Sequence, residues 1–114
     1  MEITELLNKS EINGNELEFL LQKRKEKKAD FLLVDVREEY EFQQKRITGV
    51  DYLMPISNFF EKSKQIEEYK NTPIISQCKL GGRSAQAQRQ LQIMGFKKVI
   101  NLAGGIENYK GEKE

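Results

Sequence analysis

Apolar residues in this chain fall into two kinds of pattern, stripes at helical spacing and short unbroken runs. Ile3, Leu6 and Leu7 are spaced for a short helix over residues 3–8. Asn13 followed by Glu16 has capping-box spacing, and Leu17, Leu20 and Leu21 continue as one stripe. That helix is expected to run to about residue 27. Phe31-Leu32-Leu33-Val34 is a continuous apolar run closed by Asp35, the pattern of a strand buried on both faces. Residues 37–44 are polar with Tyr40 and Phe42 and predict a short helix; residues 49–53 predict a strand. Residues 57–69 read as a helix with Phe59, Phe60, Ile66 and Tyr69 as core candidates. Pro73 to Ser76 predicts another buried strand, ending at Gln77 and Cys78. A helix over 84–94 follows, with Ala87, Leu91 and Met94 on its buried side and Gly95 placed to end it. Lys98 to Leu102 predicts the last strand, and residues 110–114 are a polar tail expected to fray.

Strands that alternate with helices predict an α/β domain with a mainly parallel sheet and right-handed crossovers. Ligand sites in such folds lie beyond the carboxyl ends of the strands, where Asp35 and Cys78 both fall. The chain has 114 residues, no internal repeat and only two prolines, Pro55 and Pro73, neither in a linker-like stretch. One domain is the economical reading.

Charge narrows the function classes. Lysine and arginine total 19 against 18 acids, a net charge of +1, which gives no strong pull toward nucleic acid or an anionic membrane. No apolar run approaches the roughly 18 residues that a membrane span needs. The start, MEITELLNKSE, carries acids where a secretory signal has a basic patch, so a cytoplasmic location is expected. The basic cluster Lys23, Arg24, Lys25, Lys27 and Lys28 is a candidate docking patch. More simply, these cations complement the dipole at a helix C-terminus. With no histidine, a His-centred triad, a His metal site and a His general base are excluded. A single cysteine excludes an intrachain disulfide and argues against a structural zinc site made by this chain alone.

The chemistry concentrates in Cys78-Lys79-Leu80-Gly81-Gly82-Arg83-Ser84, between a buried strand and a helix N-terminus. Two glycines let the backbone curl so that successive N–H groups point inward and form an anion nest. The helix N-terminus adds partial positive charge. Lys79 and Arg83 add full charges if their side chains turn toward the loop. A cysteine set there is expected to ionise below the free-thiol value of about 8.5 and to act as a thiolate without a histidine. The alternative, a small buried core cysteine, fits poorly with a position that opens a Gly-Gly-Arg-Ser loop.

These residues resemble the active loop of rhodanese-type sulfurtransferases, Cys-x-x-Gly-x-Arg-Ser, at Cys78, Gly81, Arg83 and Ser84. Asp35-Val36-Arg37-Glu38 resembles the family's Asp-Val-Arg element. Arg46-Ile47-Thr48-Gly49-Val50 resembles Gly-His-Ile-x-Gly-Ala, and Met54-Pro55-Ile56 resembles Ile-Pro-Leu. Gly95-Phe96, Val99, Asn101-Leu102 and Gly104-Gly105-Ile106 are similar to the closing elements. The resemblance implies a three-layer α/β domain, with a central five-stranded mainly parallel sheet and helices on both faces. Residues 10–111 would form that domain, residues 1–9 an N-terminal extension with a short helix, and residues 112–114 a polar tail.

The resemblance also implies two-step sulfur transfer with no metal or organic cofactor. Cys78 would take sulfane sulfur from thiosulfate or a related donor and yield it to cyanide, a thiol or a protein thiol. The N–H groups of Lys79 to Ser84, through Leu80, Gly81, Gly82 and Arg83, would cradle the persulfide. Arg83 would hold the loop, and Lys79 would attract the sulfonate end of thiosulfate. Ser84 either bonds the sulfur or simply occupies the first helical turn. Asp35 and Arg37 are expected to be structural. Two positions depart from the family pattern. Arg46 stands where histidine is usual, at a candidate pocket rim or on plain surface. Tyr109 stands where tryptophan is usual. The competing readings are a sulfur-carrier module for protein partners and, more weakly, a phosphatase or arsenate reductase of the same fold. Only four residues separate Cys78 from Arg83, against the five of a Cys-x5-Arg phosphatase loop, and Gln77 replaces that loop's usual histidine.

Overall fold

A computed structural model describes all residues, 1–114. In chain order the elements are α1 (Ile3–Leu7), β1 (Glu11–Ile12), α2 (Gly14–Lys25), β2 (Leu32–Asp35), α3 (Glu39–Gln44), β3 (Tyr52–Leu53), α4 (Phe59–Lys62), β4 (Ile74–Gln77), α5 (Gly82–Ile93) and β5 (Val99–Leu102). Short 3-10 turns occupy Ile56–Asn58, Ser63–Tyr69 and Ile106–Asn108. The five strands form one sheet in the order β1-β5-β4-β2-β3, and every pairing is parallel.

The central strands are buried on both faces, as their unbroken apolar runs require. Leu33, Ile75 and Ile100 face one core with Leu17, Leu20 and Phe31. Val34, Ile74 and Val99 face the other with Phe59, Ala87 and Leu91. Helices therefore cover both sides of the sheet, giving three layers. No helix is long and apolar enough to cross a membrane.

Local chemistry accounts for the helix ends. The Asn13 side chain accepts from the Glu16 N–H at 2.9 Å, and the Glu16 carboxylate accepts from the Asn13 N–H at 2.9 Å, a complete capping box. Helix α5 starts at Gly82, two residues before the expected Ser84, because Gly81 at φ +117° turns the chain directly into it.

Three expectations need correction, and one strand went unforeseen. Strand β1 was not visible in the sequence; its two residues pair with Asn101 and Leu102 of β5. The helix expected over 57–69 is a 3-10 turn, one short α turn and a second 3-10 stretch kinked at Ile66. There the Ser63 hydroxyl donates to Phe60 O at 2.7 Å and Gln65 Nε2 to Lys62 O at 3.0 Å, local bonds that compete with a regular helix. Strand β3 begins at Tyr52 because Gly49 turns at φ +109° and Val50 N–H closes back on Ile47 O. The tail does not fray. Arg46 N–H donates to Glu114 O, Glu114 N–H to Arg46 O and Thr48 N–H to Glu112 O, at 2.9, 2.8 and 3.0 Å. The extended segment around buried Ile47 has no other strand to satisfy these groups, so the tail supplies them.

Leu6 of α1 is only 5% exposed and belongs to the same core as α2. Leu6→Ala is therefore expected to lower the unfolding free energy by about 2–3 kcal/mol, read from denaturant titration. An unchanged midpoint would place residues 3–7 outside the cooperative unit.

Candidate active site

Strand β4 carries the chain to the carboxyl edge of the sheet and delivers Cys78 between β2 and β5. Cys78 is 1% exposed, so its sulfur lies on the floor of the loop that follows. Gly81 N–H donates to Cys78 Sγ at 3.0 Å and the Ser84 hydroxyl lies 3.3 Å from it. Burial pushes the thiol pKa up. The Ser84 hydroxyl and the backbone N–H groups of Ser84, Gly81 and Leu80 outweigh it, and the net direction is down. Free cysteines in a core are buried as deeply, but they lack this convergence of donors.

The loop is held from behind. Cys78 O accepts from Ile106 N–H at 2.9 Å and from Gln77 Nε2 at 2.9 Å, and Lys79 O accepts from Glu107 N–H at 3.1 Å. This close approach requires Gly105: a Cβ there would lie 2.3 Å from Lys79 O, and the residue sits at φ +58°. The buried Ser76 hydroxyl donates to Ser84 O at 3.0 Å and fixes the start of α5. The N-terminus of α5 thereby points into the same loop and favours an anion there.

Arg83 is turned away from the sulfur. Its Nη1 and Nη2 donate to the two Glu41 carboxylate oxygens at 2.8 and 3.0 Å. Glu41 belongs to α3, so this bidentate pair ties the segment after β2 to the loop after β4. The Arg83 guanidinium holds the Glu41 carboxyl at about 2, although burial opposes this. Asp35 and Arg37 form a second, buried pair. Arg37 Nη2 donates to Asp35 Oδ2 at 2.8 Å and to Lys45 O at 2.7 Å. Asp35 is 0% and Arg37 5% exposed, so the two brace α3 against β2.

Beside the loop a depression of about 390 Å³ is lined by Lys45, Lys79 and Lys113 together with Arg37, Tyr40, Glu41 and others. Lys79 thus stands at the mouth of this depression. Arg46 is not among the lining residues: its guanidinium lies 4.8 Å over the Phe42 ring and donates to Phe42 O. Lys45 and the strapped tail's Lys113 bring the cations in its place. Leu80 is exposed on the crest of the loop. Tyr109 is buried in the α2-side core, where it keeps an aromatic packing role. Three cations of the 23–28 cluster have partners within the chain. Arg24 donates to Asp51 and Gly49 O and stacks on Phe31, while Lys23 and Lys28 lie near Glu26.

Three contributors escaped the sequence reading of the site. Glu41 lies 42 positions from the arginine it holds, on a helix whose polar pattern does not distinguish it. Asn101 accepts from the Ser84 hydroxyl and donates to Gly81 O. Gln77 was read only as the absence of a histidine, yet its amide clamps Cys78 O.

The family model described as Rhodanese-like domain matches residues 16–112. The chain belongs to the rhodanese-like domain family. It is 34% identical over 82 residues to a "Putative sulfur carrier protein YrkF" of Bacillus subtilis, covering 72% of this chain and 43% of that protein. It is 30% identical over 84 residues to "Thiosulfate sulfurtransferase GlpE" of Coxiella burnetii, covering 74% of this chain and 76% of that one. The chain spans less than half the length of the first relatives it matches. The solution structure of the rhodanese-like domain of the Anabaena sp. Alr3790 protein superposes with a TM-score of 0.79 at 21% identity. That match covers 93% of this chain and 79% of the other, and it bears on the fold alone.

Two expectations follow for this rhodanese-like domain. The rate of Cys78 alkylation by iodoacetamide should rise with pH through a midpoint below the about 8.5 of a free thiol. Ser84→Ala should move that midpoint upward. The second concerns acid stability. The folded Glu41 carboxyl stays ionised down to about pH 2, whereas its reference value is 4.5. Its contribution to stability is therefore complete above the unfolded value and disappears as pH falls through that window. Glu41→Gln should be less stable at neutral pH, and acid titration of its unfolding should show a smaller loss over the same window than the parent protein.

Proposed function

We propose that this domain is a sulfurtransferase in which Cys78 carries sulfane sulfur as a persulfide. One observation carries the reading: a buried sulfur at which the Gly81 N–H and the Ser84 hydroxyl converge, inside a loop that opens a helix. Such a cradle favours an anionic sulfur over a neutral thiol and fits one added sulfur atom. In the first step the Cys78 thiolate attacks the outer sulfur of thiosulfate. The new S–S bond forms as the old one breaks, and sulfite leaves with the bonding pair. In the second step cyanide or a thiolate attacks the terminal sulfur of the persulfide. Thiocyanate, or a new persulfide, departs and the Cys78 thiolate returns. Lys45, Lys79 and Lys113 supply the positive field that draws an anionic donor to the mouth.

The name of the Bacillus subtilis relative supports a second reading, in which the donor or acceptor is a protein rather than a small anion. A phosphatase reading is disfavoured because the guanidinium nearest the loop is already bound to Glu41.

The intact mass should increase by one sulfur atom after exposure to thiosulfate, revert on adding cyanide, and stay unchanged in Cys78→Ser. No adduct from thiosulfate, with an adduct from a protein persulfide, would select the carrier reading. No adduct from either would defeat both.

A further inference from the structure

The Ser84 hydroxyl has a single proton and three acceptors in reach. Cys78 Sγ lies at 3.3 Å, Gly81 O at 3.2 Å and Asn101 Oδ1 at 2.5 Å. Ser84 is fully buried and Asn101 is 6% exposed, so water does not compete for that proton. Asn101 lies on β5, held by Ser10 O on its own N–H and in register with Ser76 of β4. Its other amide atom, Nδ2, donates to Gly81 O at 3.3 Å. This orientation of the amide is the one that satisfies both neighbours, since the flipped form would set two oxygens against each other at Gly81. One side chain thus touches both residues that donate to the sulfur.

We propose that Asn101 is a positioning residue that competes with the Cys78 sulfur for the Ser84 proton, and so sets how readily the thiol ionises. With a neutral thiol, Ser84 donates to Asn101 Oδ1 and its free lone pair accepts the S–H. With a thiolate, the charged sulfur is the stronger acceptor and the hydroxyl rotates to it. Asn101 Oδ1 then loses its donor inside the protein, a cost borne by the thiolate state alone. Once an alkyl group is attached, the sulfur is neutral again and the hydroxyl returns to Asn101. The asparagine therefore restrains ionisation of the free cysteine. Gly81 does not depend on Asn101 to stay in place, because its carbonyl also accepts from Ala85 N–H at 3.1 Å.

The charged groups around the loop are Lys79 and Arg83 on the loop and α5, Asp35, Arg37, Glu38, Glu41 and Lys45 on the segment from β2 through α3, Glu107 after β5, and Lys113 of the tail. None of them is altered in the variants that test the idea. The test reads ionisation directly, by ultraviolet thiolate absorbance and alkylation rate against pH, so it stands apart from whether sulfur transfer occurs.

Asn101→Leu should raise the thiol ionisation constant about five-fold, the worth of one neutral hydrogen bond, moving the midpoint to lower pH. Ser84→Ala should move it the other way, and adding Asn101→Leu to Ser84→Ala should produce no further shift. A midpoint unchanged or raised in Asn101→Leu would overturn the proposal. So would a shift that persists undiminished without Ser84, because it would act by another route. Asn101→Ala carries the same expectations if the leucine variant does not fold.

Discussion

Everything at this site depends on the burial of β4 on both faces and its pairing on both edges. Ile74, Ile75, Ser76 and Gln77 are all fully buried, with β2 on one side and β5 on the other. A strand so enclosed has no freedom to slip, since a one-residue shift would exchange its two apolar faces. The residue after it must leave the sheet at a fixed point, and that residue is Cys78. Beyond the last strand pairing, N–H groups are no longer consumed by the ladder. The loop turns them onto the sulfur.

Holding that loop open against collapse falls to polar groups from three other segments. The Glu41–Arg83 pair reaches across from α3, the turn from Gly105 to Glu107 supports the loop's carbonyls, and Ser76 anchors the first turn of α5. The buried Asp35–Arg37 pair sets α3 in turn, through Lys45 O. Removing one member of such a pair leaves an uncompensated charge in the interior, a penalty of about 3–5 kcal/mol. These contacts explain why Arg83 serves the loop's shape while lysines line the depression beside it. A guanidinium engaged by both carboxylate oxygens has little left to offer a ligand.

Much of this was legible in the residues themselves. The unbroken run Phe31 to Val34, the stripe Leu17–Leu20–Leu21 and the capping pair Asn13 and Glu16 each have one cheap solution, and the fold adopts it. Two-residue strands are different. Glu11 and Ile12 carry no period of their own and become a strand only because β5 offers its free edge. The 57–69 segment misled for a related reason. Its composition suits a helix, but Ser63 and Gln65 spend their side chains on nearby carbonyls. The tail looked free because its partner, the extended segment at Ile47, is not adjacent in sequence.

The chain's sequence by itself determined where the lone Cys78 stands, the glycines that let the loop curl, and the alternation of the central strands with helices. All of these rest on short-range preferences of backbone and side chain, which act wherever the residues stand. The tertiary structure alone decided which groups meet the sulfur and which are diverted. Arg83 turns to Glu41, Arg46 lies on Phe42, Lys113 comes to the mouth, and Asn101 reaches the Ser84 hydroxyl. Apart from the Arg46–Phe42 stacking, four positions apart, those choices are made between residues 17 to 68 positions apart. Hydrogen bonds and ion pairs at such separations follow from how the layers pack, and no local pattern encodes them.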